Sequence, residues 1–227
     1  MKKIFLLIVI VFLFSCPSLH SQTKIGLQLG PNFTGASTTA KSFTPEGKIN
    51  FFGGILAEFK INDMFYIQPE VNFVSKGADF RLLDGAGNTT TSYIYNLFYY
   101  YEIPINFLVK FDVGNFTPFL FTGPSFNFFS AAKETYLGGS RNPANNTADL
   151  FKKFEFAINF GAGVECSLSN SVDLFITARY FLGLTNIYET FIFTNMIDFE
   201  YITLINEPLE KFQTRDISLT AGLKITL

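Results

Sequence analysis

From Lys24 onward the chain alternates. Ile25, Leu27 and Leu29 interleave with Lys24, Gly26 and Gln28. The same period of two recurs over residues 51–60, 65–73, 101–110, 155–166, 172–180 and 216–227, and a further apolar segment covers 116–129. Such a period sends successive side chains to opposite faces of a β-strand. The pattern predicts eight strands of about ten residues, the length a tilted strand needs to cross a bilayer. Gly123-Pro124 interrupts the fifth strand, where a β-bulge is the expected device.

The connections carry a second pattern. Short turns at Asn62-Asp63, Asp112 to Asn115 and Ser169 to Ser171 join strands two to three, four to five and six to seven. The other connections are long and cover about 33–49, 77–92, 130–153 and 186–213. Strict alternation of short and long connections is the habit of outer-membrane barrels, with short turns in the periplasm and long loops outside. A soluble β-sandwich also alternates apolar with polar residues. It gives no reason for sorted loops, for a polar face rich in glycine (Gly26, Gly54, Gly161, Gly163, Gly222), or for aromatics bunched near strand ends, as at Phe65-Tyr66 and Phe128-Phe129. The reading is an all-β chain forming a transmembrane antiparallel up-and-down barrel, with ten strands as the alternative to eight. It places the protein in a bacterial outer membrane, in contact with its lipid, as a monomer.

Composition sharpens this picture. The 227 residues include 30 Phe and 10 Tyr and are only 16% charged, far too apolar for a disordered chain. A net charge of -2 with no basic stretch leaves no electrostatic footprint for nucleic acid. Met1-Lys2-Lys3 followed by an apolar run over 4–14 reads as a secretory signal peptide, too short for a mature span. Cleavage after Ser21 gives a signal peptide of 1–21 and a barrel domain of 22–227. Leu13-Phe14-Ser15-Cys16 offers the other processing route, with lipid attached to Cys16.

Several segments resemble the PorT-type outer-membrane β-barrel family of the Bacteroidota, the outer membrane protein β-barrel domain. They are Lys24-Ile25-Gly26-Leu27-Gln28-Leu29-Gly30-Pro31-Asn32-Phe33, Ile67-Gln68-Pro69-Glu70-Val71, Tyr101-Glu102-Ile103-Pro104-Ile105 and Pro118-Phe119-Leu120-Phe121-Thr122-Gly123-Pro124-Ser125, then Gly161-Ala162-Gly163-Val164-Glu165 and the stretch 178–186. Members of that family often end on an aromatic residue, whereas this chain ends on Leu227. The resemblance implies a membrane barrel without enzymatic activity. Founding members of the family are associated with type IX protein secretion, so it also implies an accessory role beside a secretion or surface complex.

The chemistry available is sparse. The single histidine, His20, leaves with the signal, so the histidine-dependent catalysis of barrel hydrolases has no base. Cys166 then stands alone, which excludes a disulfide framework and a cysteine metal site. No catalytic residue, cofactor or metal is expected. Glu58, Glu70, Glu102, Lys110 and Arg179 share the inward polar phase and are expected to form a charged cluster inside a filled barrel. Within it Arg179 should bridge Glu102, Glu70 or both, with its guanidinium lying over Gly161. Residues 187–212 are too apolar for a solvated loop, and Phe191, Phe193, Met196, Phe199 and Tyr201 mark them as a candidate partner-binding surface. The other reading is a tall hairpin continuing the last two strands. A small transport channel is the remaining functional alternative.

Overall fold

Alternation folds this chain by giving every strand one apolar and one polar face, and closing the sheet puts all the polar faces inside. A computed structural model describes residues 23–38, 43–83, 89–136, 139–141, 152–187, 193–197, 200–205 and 212–227. The strands are β1 (Thr23–Thr38), β2 (Phe43–Lys60), β3 (Phe65–Leu83), β4 (Thr89–Lys110), β5 (Phe116–Tyr136), β6 (Gly139–Arg141), β7 (Phe154–Ser169), β8 (Val172–Gly183), β9 (Phe193–Ile197), β10 (Glu200–Ile205) and β11 (Phe212–Thr226). Eight of them close a ring in the order β1-β2-β3-β4-β5-β7-β8-β11, each antiparallel to its neighbours, and β11 returns to β1. Closure removes the free edges that no lipid could satisfy. On β1, Leu27 and Leu29 are each 64% exposed while Gln28 between them is 3% exposed, so the apolar phase faces outward. Phe52, Leu56 and Phe175 fill the interior with the polar set, and Tyr66 is partly buried beside them.

The three short connections are tight turns. Between β2 and β3 the Asn62 side-chain oxygen accepts hydrogen bonds from the Met64 and Phe65 backbone N–H groups, both at 2.9 Å. Between β4 and β5 Gly114 has φ +71°, a left-handed conformation that glycine adopts without steric cost. Asn170-Ser171 joins β7 to β8 directly, with Ser169 opposite Val172.

Two expectations about strand shape are corrected. No bulge occurs at Gly123-Pro124, because the β5–β7 register continues unbroken through Gly123 opposite Asn159 and Pro124 opposite Ile158. A side chain at Gly123 would collide with the Ile105 carbonyl, so close backbone approach explains that glycine. The irregularity lies higher, where Tyr99 faces Ala131 and Tyr100 faces Phe129. The long connections are also in large part strand. A tilted span needs about 9–11 residues, whereas β3, β4 and β5 have 19, 22 and 21. β2 leaves β1 above Lys48 and pairs through Phe43–Gly47 with β3, while β5 leaves β7 above Phe128, stays with β4, and gains β6. A five-stranded blade, β2-β3-β4-β5-β6, thus rises beyond the closed ring at the long-connection end.

The segment 187–212 contains a hairpin, β9–β10, that forms its own two-stranded sheet. Among the described residues it pairs with neither β8 nor β11, and the closed ring has eight strands, not ten.

Aromatic pairs ring the outer wall toward the blade. Phe73 stacks on Tyr99, Phe126 packs against Phe156 and Phe128 against Phe154, with centroids 5.7 Å apart in each pair. Such girdles sit at lipid–water boundaries, where aromatic rings meet both phases.

Candidate functional site

The inward polar phase of eight strands converges on the barrel axis in three tiers. Charges there are withdrawn from water and are tolerable only when paired and hydrogen-bonded.

The tier at the short-turn end joins β1, β2, β4, β7, β8 and β11. Lys110 contacts Glu58 at 2.6 Å and Glu165 at 2.8 Å. Lys224 contacts the same two carboxylates at 2.6 and 2.9 Å, which closes a four-membered ring of charges. Lys24 adds Glu165 and Asp173, both at 2.6 Å, and the Ser167 hydroxyl donates to Asp173. Three ammonium groups thus face three carboxylates. The Phe119 ring lies beneath Lys110 and Lys224, with Tyr66 and Phe175 flanking. Below this tier, in the β2–β3 turn, a hydrogen bond from Lys60 holds the exposed Asp63 carboxyl below its ordinary range.

The middle tier centres on Glu70. One terminal nitrogen of Arg179 reaches both its oxygens, at 2.8 and 2.9 Å. The carboxamides of Gln28, Gln68, Asn72 and Asn106 also donate to it, at 2.7–2.8 Å. β1, β3, β4 and β8 are thereby tied through one carboxylate. The Arg179 guanidinium lies between the Phe52 and Phe121 rings, 5.2 Å from each centroid.

In the third tier a single ammonium, Lys76, meets Glu102 at 2.7 Å, Asp216 at 3.4 Å and Glu155 at 3.5 Å. It rests on the face of Phe181, 3.1 Å from the ring centre. The Thr214 hydroxyl donates to Glu155. Among the described residues, three buried carboxylates share one cation here.

The expected cluster is therefore divided among tiers. Glu58 and Lys110 fall in the first, Glu70 and Arg179 in the second, Glu102 in the third. Arg179 bridges Glu70 but not Glu102, because Glu102 stands opposite Asn72, one step higher, where Lys76 claims it. Gly161 does lie opposite Arg179, but the Phe121 ring occupies the space over it and the guanidinium stacks on that ring. Lys76 keeps the inward phase of Glu70 and Asn72 but lies beyond Phe73, where the recognised alternation stops because polar Ser75 takes the outward-phase position. Glu155, Glu165, Asp173, Asp216, Lys24 and Lys224 all carry the inward phase, so period two was the signal that could have found them. Of the candidate partner surface, Phe193 and Met196 fall in β9 and Tyr201 in β10, while Phe191 and Phe199 lie outside the described residues, as do Cys16, His20 and the signal segment. Among the described residues no group of three carboxylate, cysteine or histidine side chains is placed to hold a metal ion.

The arrangement is that of a braced cylinder, with carboxylates held by fixed cations and amides. No curated protein matches the chain. Among solved structures, Neisserial surface protein A is 16% identical, with a TM-score of 0.49 over 90% of this chain and 97% of that one. The Yersinia pestis attachment invasion locus protein Ail in complex with sucrose octasulfate is 10% identical, with a TM-score of 0.43 over 90% and 99%. The Escherichia coli outer membrane protease OmpT is 6% identical, with a TM-score of 0.45 over 92% and 97%. The sequence profile described as outer membrane protein beta-barrel domain matches residues 18–189. With the closed eight-stranded barrel built from those same residues and the strands that follow, the chain belongs to that family and is a bacterial outer-membrane protein.

Proposed function

We propose that this protein is a non-enzymatic outer-membrane scaffold with an accessory role in protein secretion or surface assembly, of the PorT type, and that it works by docking a partner protein outside the membrane. The observation that carries the reading is the blade. Strands of 19–22 residues are about twice the length a bilayer crossing requires, and the excess is concentrated on β3, β4 and β5, while β8 stops at 12. A membrane anchor alone has no use for that extension. A platform held clear of the lipid headgroups does, and the separate β9–β10 hairpin stands at the same end. The three charge tiers supply the rigidity such a platform needs, since they tie the strands of the ring across its axis.

The test is co-purification from native outer membranes solubilised in mild detergent. Deleting 187–212 should leave the heat-modifiable gel shift of the folded barrel intact and remove one specific partner. Retention of every partner by the folded deletion variant would contradict docking through that segment. Loss of the gel shift would instead report a folding role for it.

A further inference from the structure

The ring and the blade meet at one level of the barrel, and both flanks of the blade change register there. Between Gly47, opposite Ala78, and Phe52, opposite Val74, four residues of β2 face three of β3. On the other flank Tyr99 faces Ala131 while Tyr100 faces Phe129, so Ser130 is an extra residue of β5. β3 and β4 pass between these two points in one register, from Asn72 opposite Glu102 to Arg81 opposite Tyr93. Such bulges bend a strand and interrupt its ladder. Side chains hold this level in part. The Asn32 amide donates to the Ser75 carbonyl at 3.2 Å and the Thr34 hydroxyl to the Gly77 carbonyl at 2.5 Å. The blade therefore joins the ring at a hinge.

The third tier crosses this hinge. Lys76 lies in the β3 side of the bulge and Glu102 on β4, both on strands that rise into the blade, whereas Glu155 and Asp216 belong to β7 and β11 of the low wall. Among the described residues the other tiers match charge for charge. Lys24, Lys110 and Lys224 meet Glu58, Glu165 and Asp173, and Arg179 meets Glu70. The third tier sets three carboxylates within 3.5 Å of one ammonium nitrogen, so no two of the contacting oxygens are separated by more than twice that distance. Like charges this close and this buried repel strongly when all are ionised.

The three carboxylates differ in their remaining partners. Glu102 makes the shortest contact with Lys76, at 2.7 Å, and Glu155 accepts from the Thr214 hydroxyl. Asp216, 2% exposed, accepts no hydrogen bond at either oxygen. Asn159, buried and level with Asp216 across Phe181 of β8, has neither amide atom bonded. A protonated carboxyl donates as well as accepts, which suits such surroundings. Also facing the tier are Tyr100 on β4, its ring centre 5.3 Å from the Lys76 nitrogen, Thr34 on β1 opposite Asp216 and Asn127 on β5 opposite Glu155. Lys48 on β2 stands one strand beyond Thr34.

We propose that the third tier is a proton-binding brace across the hinge, with Asp216 as the carrier. As the medium acidifies, Asp216 takes up one proton, Lys76 is left to Glu102 and Glu155, and blade and ring draw together. In alkali the proton leaves and the repulsion of three carboxylates loosens the joint. The brace concerns the base of the blade and not what docks on it, so its test and the co-purification test fail independently.

The test is infrared difference spectroscopy of the barrel in nanodiscs between about pH 9 and about pH 6, where solvated carboxyls stay ionised. On acidification wild type should gain the C=O stretch of a protonated carboxyl. The band should shift when aspartate is supplied 13C-labelled, and Asp216→Asn should lack it. Asp173→Asn, from the matched first tier, serves as control and should keep it. Spin labels at Thr135 on the blade and Ala178 on the low wall, in a Cys166→Ser background, then read the joint by pulsed dipolar spectroscopy. Their distance distribution should broaden from acid to alkali in wild type and stay fixed in Asp216→Asn. Should Asp216→Asn not fold, the isotope shift in wild type still assigns the proton to an aspartate. No band, a band unmoved by labelled aspartate or kept in folded Asp216→Asn, or a distribution indifferent to pH would overturn the proposal. So would a distribution that follows potassium concentration at fixed pH instead, which would make a metal cation the ligand.

Discussion

Truncating the two ends of the Arg179–Glu70 pair should have unequal effects. Breaking a buried ion pair by removing one partner typically costs about 3–5 kcal/mol, because the survivor is stranded. Arg179→Ala strands Glu70, but four carboxamides still donate to that carboxylate, which places the loss near the lower end, about 3 kcal/mol. Glu70→Ala strands a guanidinium whose Nε and Nη1 make no other hydrogen bond, and it also deprives those four carboxamides of their acceptor. Its loss belongs near the upper end, about 5 kcal/mol. With both groups gone no charge is stranded, so the double variant should lose no more than Glu70→Ala alone, at most about 5 kcal/mol, a coupling of at least about 3 kcal/mol. The chain has no Trp, so equilibrium urea unfolding in detergent is best followed by circular dichroism and by the mobility of the folded band. Arg179→Ala paired with Glu102→Ala supplies the contrast. Glu102 is held by Lys76, so those losses should add to within about 0.5 kcal/mol. Strict additivity for Arg179 with Glu70, or coupling of about 3 kcal/mol for Arg179 with Glu102, would refute the tiered arrangement.

Asp216→Asn should stabilise the barrel by about 1 kcal/mol, because it relieves repulsion among three buried carboxylates that share Lys76; a loss in urea unfolding would show that the third tier needs all three charges. Gly222→Val should cut the refolding yield, measured as the heat-modifiable fraction, since its side chain has no space between the Leu27 carbonyl and Phe175; a wild-type yield would contradict the close β1–β11 packing. Reconstituted protein should give no stable single-channel steps in planar bilayers, because an eight-stranded barrel has room only for its own side chains, here three ion-pair tiers interleaved with Phe52, Phe119, Phe121 and Phe175; large, long-lived steps would demand a wider barrel.

Where lipid touches the wall, every second residue must be apolar, and that constraint makes a strand readable. The eight crossings, their inward phase and the three tight turns were legible for this reason, and so were Glu58, Glu70, Glu102, Lys110 and Arg179 as interior charges. Above the lipid the constraint lapses. β3 continues through Ser75-Lys76-Gly77, β4 begins at Thr89 and β5 runs on to Tyr136 without the alternation that marks their lower halves. The blade was therefore invisible in the pattern, and Lys76, although on the inward phase of Glu70 and Asn72, lay just beyond the segment that the alternation marked. Partner choice inside the barrel depends on stagger between strands, which residue counts from a turn do not supply. That is why Arg179 could be placed near mid-height yet its carboxylate not chosen between Glu70 and Glu102. Gly123-Pro124 misled for a related reason, since the same pair of residues serves a bulge or a close backbone approach, and only the neighbouring strand decides.

The most direct measurement of the central claim, a closed barrel in lipid with its charges inside, is a nitroxide scan of β8 in a Cys166→Ser background, reconstituted in bilayers. Labels at 174, 176, 178, 180 and 182 should be accessible to oxygen dissolved in the lipid, and labels at 173, 175, 177, 179 and 181 should be shielded from it and immobile, because these positions alternate between exposed or partly exposed and buried along Val172–Gly183. Loss of that period of two, or access of a water-soluble relaxant to the even-numbered positions, would contradict the barrel.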